Sequence, residues 1–367
     1  MSFSGIEDFQ KTAACIQHGI DKQLHTCAQV FISQYGDSLA DFAIGEYSPG
    51  KICTSSTVMP WMSCSKMITA AAFAILTERN LVNFEDKVSS VIPEFGCMGK
   101  ENITFTHILN HTSGIRLLSL KWDDISWEES IDAICKMPVE KDWRPGIDGG
   151  YHIGTSWFIL GEAIQRLSSM KLQDFIESEI FSPLEMDRCW ISIPDQIYLH
   201  DPGIARFYRT DKSPIKQGLD KYAKAPNKCR PGASCRGPVN QLGKFMNMFY
   251  EKGSTGAARI LSERTVEKMT SPSRSGVIDK TFMKTIDWGL GFMIDSKKYQ
   301  ERYPYSFGAG CSAETFGHNG NQSSAAYVDP ENELTVCFVF NGLPGEAAHQ
   351  QRLHEINLAI YEDLGLF

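Results

Sequence analysis

The sequence lacks a basic cluster, a long hydrophobic run and a recognisable leader, and these absences exclude several classes of protein. A net charge of -8 without grouped lysine or arginine argues against a phosphate-backbone partner, so we expect no nucleic-acid binding. The apolar run at residues 70–76 is far too short to cross a bilayer, and we expect no membrane span. The first residues show no basic region followed by an apolar core, which predicts a cytoplasmic protein.

Cysteines in metal-ligand spacing are also missing. The 11 cysteines are scattered, and the two that lie closest in sequence are Cys229 and Cys235, whose pairing the sequence leaves open. We expect reduced, mostly buried thiols and no metal. The composition that remains, 42% hydrophobic and 22% charged residues, is ordinary for a globular protein.

The hydrophobic pattern predicts an N-terminal helix, three strands and an apolar helix from Ser63 to Arg79. Short helical segments follow, and strands return from Asp287 before a C-terminal helix. This order predicts an α/β (α+β) fold in which residues 1–80 and 255–367 form one antiparallel sheet covered by helices. Residues 81–254 then form an inserted, mainly helical lobe, and Ser63 lies at the edge of the cleft.

Ser63 and Lys66 begin the apolar helix with the pattern Ser-x-x-Lys. Residues three apart lie on one helical face, so the Ser63 hydroxyl and the Lys66 amine can meet. The start of a helix also offers free N–H groups and a positive dipole end, which favour an alkoxide. Cys64 should face away and pack, and Ser65 does not share a face with Lys66. The pattern therefore makes Ser63 a candidate nucleophile.

A second candidate, Tyr151, ends the turn-forming segment PGIDGGY. A phenol beside a lysine cation ionises more readily, so Tyr151 would take the proton of Ser63 and return it to the leaving group. A tyrosine that merely packs in the turn is the alternative.

A third candidate is the segment FGHNGN, residues 316–321, on a predicted strand after a Gly-rich turn. The N–H of Asn321 would pair with that of Ser63 in an oxyanion hole, and Gly320 would let substrate approach the backbone. His318 would supply a hydrogen bond or a positive charge, although a packed core histidine is the alternative.

These segments, in this order, resemble the β-lactamase-related serine hydrolases, which include class C β-lactamases, D-alanyl-D-alanine carboxypeptidases, family VIII carboxylesterases and lovastatin-type acyltransferases. The resemblance also covers LTERNLVNFEDKVSSVIPEFG and ITFTHILNHTSGI, and it runs over nearly the whole chain. It implies a three-layer α/β/α sandwich built from both chain ends plus a helical lobe, acylation of Ser63, proton transfer by Lys66 and Tyr151, and no cofactor. The implied partner is a small acyl substrate, including acyl groups on a carrier or coenzyme A.

The sequence departs from this family where substrate is bound. Lactam- and peptide-cleaving members carry Tyr-x-Asn, but here Ile153 stands at the Asn position, with His152 before it. A site that lacks one required hydrogen-bond partner loses much of its discrimination. His318 replaces the lysine of penicillin-reactive members, which weakens the cation for a lactam carboxylate.

Substrate contacts are therefore expected from His152, Ile153 and Gly320. Tyr208 and Tyr222, in the irregular stretch 192–237, either line an acyl pocket or only cover the lobe. His349 is expected on a solvated helix.

The departures favour an esterase over a β-lactamase. An acyltransferase or peptide hydrolase with the same residues remains open, as does a non-catalytic binding protein on this fold. The acyl group, the acceptor and the oligomeric state do not follow from the sequence.

Overall fold

The computed structural model describes residues 5–116, 124–211, 227–256, 258–299 and 307–367. The helices are α1 Gln10–Asp21, α2 Ser65–Glu78, α3 Phe105–Leu109, α4 Trp127–Lys136, α5 Thr155–Ser168, α6 Leu172–Ile176, α7 Asp195–His200, α8 Val239–Tyr250, α9 Glu263–Thr270 and α10 Glu346–Asp363. The strands are β1 Cys27–Gln34, β2 Asp37–Ser48, β3 Lys51–Ile52, β4 Met59–Pro60, β5 Arg236–Gly237, β6 Ser254–Thr255, β7 Ala258–Arg259, β8 Ile278–Asp279, β9 Lys284–Thr285, β10 Asp287–Trp288, β11 Met293–Ile294, β12 Phe316–Gly320, β13 Ser324–Asp329 and β14 Leu334–Phe340.

One eight-stranded sheet is built from both ends of the chain, in the order β10-β11-β12-β13-β14-β1-β2-β3. All its neighbouring strands run antiparallel. The N-terminal strand β1 pairs with the late strand β14, in a register that sets Ala28 opposite Phe340. The prediction of one antiparallel sheet from the two chain ends is confirmed.

Helices cover both faces of this sheet. On one face α1 packs against α10, and the core between them and the sheet contains Ile16, Val30 and Ile356. On the other face α8 packs against β1, β13 and β14. The three-layer sandwich therefore stands as predicted, because each sheet face buries its apolar side chains under helices.

The division of the chain at residues 80 and 254 stays a prediction. Helices α4, α5 and α6 lie in the middle third, and α2 packs against α5 and α6. However, α8 packs against the sheet although it falls within the segment 81–254 that we assigned to the lobe.

Helix α2 is buried nearly all round, as its uniformly apolar sequence indicates.

No helix among the described residues combines the length and the apolar character needed to cross a bilayer. All eleven cysteines lie in the described part of the chain and are free thiols.

Candidate active site

Ser63 lies in a single 3-10 turn, Met62–Cys64, that leads directly into α2. Met62 adopts a left-handed backbone conformation with φ at 50°, which costs a residue with a side chain about 1–2 kcal/mol. Its side chain packs against Phe207 in a small buried cluster, which holds this strained turn in place. The helix therefore begins at Ser65, two residues later than predicted, and Ser63 sits on the turn before it.

The two neighbours of Ser63 point into the protein. Cys64 is fully buried, its Sγ donates to the backbone oxygen of His318 at 3.2 Å, and burial raises the pKa of the thiol to about 12. Ser65 Oγ donates to the Met62 oxygen at 2.5 Å and accepts from the Cys235 N–H at 2.9 Å. The prediction that Cys64 packs is confirmed, and Ser65 stabilises the turn.

Lys66 is fully buried beside the nucleophile. Its Nζ lies 3.2 Å from Ser63 Oγ, 3.1 Å from the Ile153 oxygen and 2.8 Å from the Gly232 oxygen. Burial lowers the pKa of Lys66 to about 7, so the neutral amine is well populated at neutral pH. The two carbonyls then accept the two N–H bonds of that amine, which leaves its lone pair for the proton of Ser63.

Tyr151 forms one side of the site. Its backbone N–H donates to Asp279 Oδ1 at 3.0 Å, and its ring stacks on Trp288 with centroids 5.7 Å apart. Lys66 Nζ lies 5.0 Å from the centre of the Tyr151 ring. The structure thus brings Tyr151 and Lys66 together, and their proton transfer stays a prediction.

A buried ion pair holds the segment that carries Tyr151. Arg274 Nη2 lies 2.9 Å from Asp279 Oδ2, and the two side chains are 2% and 0% exposed. Arg274 Nη1 also donates to the backbone oxygen of His111 at 3.2 Å. The pair therefore ties the segment after α9 to β8, whose Asp279 binds the N–H of Tyr151.

Arg274→Met is expected to lower the free energy of unfolding by about 3–5 kcal/mol, because it leaves the Asp279 charge buried without its partner. Urea unfolding followed by circular dichroism measures this loss. Lys252→Met is the matched control, since it breaks the exposed pair between Lys252 and Glu263 and should change stability little. Equal losses in the two variants would contradict the structural role of Arg274.

His318 lies on β12 in the wall of the site. Its Nδ1 is 2.7 Å from the backbone oxygen of Asn319, and because a carbonyl only accepts, Nδ1 carries the proton. Burial and the positive charge of Lys66 lower the pKa of His318 to about 3, so the ring is neutral at pH 7. Of the two predicted roles, the geometry favours a hydrogen bond over a positive charge.

Gly320 ends β12 where this strand meets the segment that carries Ser63. A Cβ at Gly320 would lie 2.0 Å from Ser324 Oγ and 2.8 Å from the backbone oxygen of Trp61. No side chain fits there, so glycine permits the close approach that sets β12 beside the nucleophile.

Asn321 follows in the turn between β12 and β13. The next residue, Gln322, has a left-handed backbone with φ at 47°, and its oxygen accepts a hydrogen bond from Arg352 Nη2 at 3.0 Å. This contact fixes the turn. Asn321 and Ser63 line the same cavity, and the oxyanion hole formed by their N–H groups stays a prediction.

A cavity of about 240 Å³ joins these groups. Its lining includes the predicted residues Ser63, Tyr151, Ile153, His318, Gly320 and Asn321. Apolar side chains form much of the remaining wall, and the first turn of α10 adds polar groups: Met62, Phe282, Trp288, Met293, Glu346, His349 and Gln350. A cavity with mostly apolar walls and a few placed polar groups suits a small organic substrate.

Two predicted substrate contacts are not brought to this cavity. His152 is fully buried, and its Nε2 accepts from the Ile115 N–H at 3.1 Å and lies 3.0 Å from Ser113 Oγ. It therefore packs within the protein, contrary to the prediction. Two alternatives were open for Tyr208, because the irregular stretch gave no period from which to assign a face. The residue lines a separate cavity with Arg206, so the structure does not support an acyl pocket beside Ser63 for it. Tyr222 lies outside the described residues.

His349 and Arg352 were missed as site residues. We predicted a solvated helix for His349, but it is 2% exposed and lines the cavity. Arg352 is also 2% exposed, and its Nη2 lies 3.1 Å from His349 Nδ1. The local sequence EAAHQQRLHE is mostly polar, but His349 stands four residues before Leu353 and Arg352 four before Ile356. Helical spacing therefore places both on the apolar face, a signal that could have found them. The partners that bury them come from distant segments.

A serine and a buried lysine that meet between an antiparallel sheet and a helical region define the class of β-lactamase-fold serine hydrolases and acyltransferases. The family model described as Beta-lactamase matches residues 12–360. The chain therefore belongs to the Beta-lactamase family, as the motifs predicted.

The proteins that are similar to this chain have names that indicate different activities. Penicillin-binding protein 4* of Bacillus subtilis (strain 168) is 28% identical over 288 residues, which cover 74% of this chain and 60% of that protein. The chain thus matches less than two thirds of this relative's length. The solved structure of a family VIII carboxylesterase has a TM-score of 0.77 at 20% identity and covers 96% of this chain and 97% of its own. Simvastatin synthase from Aspergillus terreus has a TM-score of 0.76 at 15% identity, with 96% and 98% covered.

Proposed function

We propose that the protein hydrolyses a carboxylic ester or thioester through an acyl-Ser63 intermediate. The observation that carries this proposal is the contact between Lys66 Nζ and Ser63 Oγ at 3.2 Å, made by a lysine whose pKa burial lowers to about 7. A base with a pKa near the working pH is well matched to removing the proton of an attacking hydroxyl. Ser63 lines the cavity, so an acyl carbon can reach it there.

The reaction proceeds in two balanced halves. Neutral Lys66 takes the Ser63 proton as Oγ bonds to the acyl carbon, and the N–H groups of Ser63 and Asn321 stabilise the oxyanion. The bond to the leaving alcohol or thiol breaks, and Tyr151 passes a proton to that group while Lys66 restores the tyrosine proton. Water then attacks the acyl-enzyme along the same route, which releases the acid and regenerates Ser63.

An ester suits this site better than a β-lactam or a peptide. The Ile153 side chain lies in the cavity wall where lactam- and peptide-cleaving members of the resembled family carry an amide-binding Asn. His318 is neutral, so it provides no cation for a substrate carboxylate. A substrate that needs both contacts loses several kcal/mol of binding in the transition state.

Peptide hydrolysis is the second candidate, because relatives of this chain include proteins named putative D-alanyl-D-alanine carboxypeptidases. Acyl transfer to an alcohol is the third, since simvastatin synthase shares the fold. Both reactions use the same acyl-Ser63 intermediate, so they differ from ester hydrolysis only in the leaving group or the acceptor.

A substrate panel separates the three. Short-chain p-nitrophenyl esters and thioesters, nitrocefin, and a D-alanyl-D-alanine peptide are assayed with the wild type beside Ser63→Ala, in the presence and absence of added alcohols. We expect Ser63-dependent ester cleavage, with kcat/KM for the lactam and the peptide at least about 100-fold lower. Faster peptide cleavage would replace the ester proposal, and an ester product in place of the acid would indicate acyl transfer.

A further inference from the structure

His318 lines the cavity, and the hydrogen-bonding chemistry of its ring is fixed. Nδ1 lies 2.7 Å from the backbone oxygen of Asn319 and donates its proton to it. Nε2 of the neutral ring therefore carries a lone pair and acts as an acceptor. Neither a ring flip nor a change of tautomer gives Nε2 a proton without breaking that contact.

This acceptor has no hydrogen-bond partner among the residues that the structure describes. The His318 side chain is 3% exposed, and it lines the cavity that contains Ser63. Two aromatic rings flank it, with centroids 5.9 Å away for Tyr151 and 5.5 Å away for Trp288, and neither side chain donates a hydrogen bond to Nε2. A buried acceptor without a donor is unfavourable, so a ligand that donates to it gains more than it would at an exposed atom.

The surroundings restrict what that donor can be. A carboxylate has no proton to give and would face the lone pair of Nε2. An ammonium group would meet the positive charge that Lys66 acquires when it takes the Ser63 proton, and the same charge contributes to lowering the pKa of His318. A neutral O–H or amide N–H avoids both penalties.

We propose that His318 Nε2 accepts a hydrogen bond from a neutral donor of the substrate, and that the natural substrate is an ester or thioester with a hydroxyl or amide N–H near its scissile carbonyl. Hydroxyacyl and acylamino-acyl esters have this chemistry. The inference rests on the proposed function, and it makes His318 a specificity-determining residue of the same site.

Matched substrates test the inference in the wild type. The p-nitrophenyl esters of butyrate, 3-hydroxybutyrate and 3-methoxybutyrate, and those of propionate and N-acetylglycine, are compared by kcat/KM. Each kcat/KM is corrected for the alkaline hydrolysis rate of the free ester. A buried hydrogen bond of this kind predicts that the corrected kcat/KM of at least one donor-bearing ester is about ten- to a hundredfold higher than that of its donor-free partner. Equal corrected values in both sets would overturn the inference while leaving ester hydrolysis intact.

Two variants then assign the preference to Nε2. His318→Phe keeps a ring and removes the acceptor, so the ratio between donor-bearing and donor-free esters should fall to about one, whatever the absolute rates. His318→Gln keeps an acceptor and should restore part of the ratio. An unchanged ratio in His318→Phe would show that another group selects the donor.

The failures of the two proposals are distinguishable. If no ester is cleaved and Ser63 is not labelled by a fluorophosphonate, the proposed function itself is wrong. If His318→Phe cleaves no ester, the fluorophosphonate labelling rate and circular dichroism report whether its site is intact. The wild-type ratio together with that of His318→Gln then decides the inference.

Discussion

Ser63→Ala is expected to reduce kcat/KM for the best ester by about 10⁴-fold or more, because it removes the atom that forms the covalent intermediate. Intact mass spectrometry after fluorophosphonate treatment should show one adduct on the wild type and none on the variant. The adduct should map to Ser63, which the cavity exposes, and not to Ser65, whose hydroxyl is held by the Met62 oxygen and the Cys235 N–H.

Cys64→Ser is the matched control for this experiment. It replaces the neighbouring thiol, which is buried and has its pKa raised to about 12, with a smaller polar group. Labelling at Ser63 should persist in a folded Cys64→Ser protein. Full ester turnover by Ser63→Ala would assign the chemistry to another nucleophile. Loss of wild-type activity on treatment with a thiol reagent alone would do the same.

Lys66→Met is expected to lower kcat/KM by about 10²- to 10⁴-fold, because it removes the group that accepts the Ser63 proton. The wild type should also show a pH profile set by Lys66. Its pKa is lowered to about 7, so the amine is protonated below that pH and cannot act as a base. Activity on an activated ester should therefore fall about tenfold per pH unit below about 7 and level off above it.

Two further variants test whether Lys66 acts as the base. Lys66→Arg retains a cation that does not lose its proton, so it should be as slow as Lys66→Met and lack the rise near pH 7. Lys100→Met is the matched control, since Lys100 is another buried lysine, bonded to the Met137 oxygen and absent from the cavity lining. A wild-type profile that stays flat from pH 5 to 9 would remove Lys66 from the role of base.

Local spacing predicted the parts of the site that lie within one turn. The interval between Ser63 and Lys66 required them to share a face, and the structure confirms their contact. The start of the helix was placed two residues early, because the left-handed conformation of Met62, which packs against the distant Phe207, does not follow from the local sequence. The glycine at residue 320 lies where β12 closely approaches the segment that carries Ser63, and its role in admitting substrate stays a prediction.

Long-range partners could not be predicted in this way. Asp279 binds the N–H of Tyr151, and Arg352 binds the oxygen of Gln322, but neither residue stands in a recognisable motif. The charge of His318 was also beyond sequence reasoning, since its burial and its distance from Lys66 depend on the folded core. Where no hydrophobic period existed, as around Tyr208, the direction of a side chain was undetermined.

The pairing of β1 with β14 has a consequence for how the protein folds. A strand near the start of the chain completes its hydrogen bonds only when one near the end arrives, so the contact order of the sheet is high. Such closure costs loop entropy before the contacts that reward it can form, which makes it slow. During synthesis Ser63 therefore emerges long before β12, which carries His318, and the turn that carries Asn321, so the nascent chain contains the serine without the other proposed site residues.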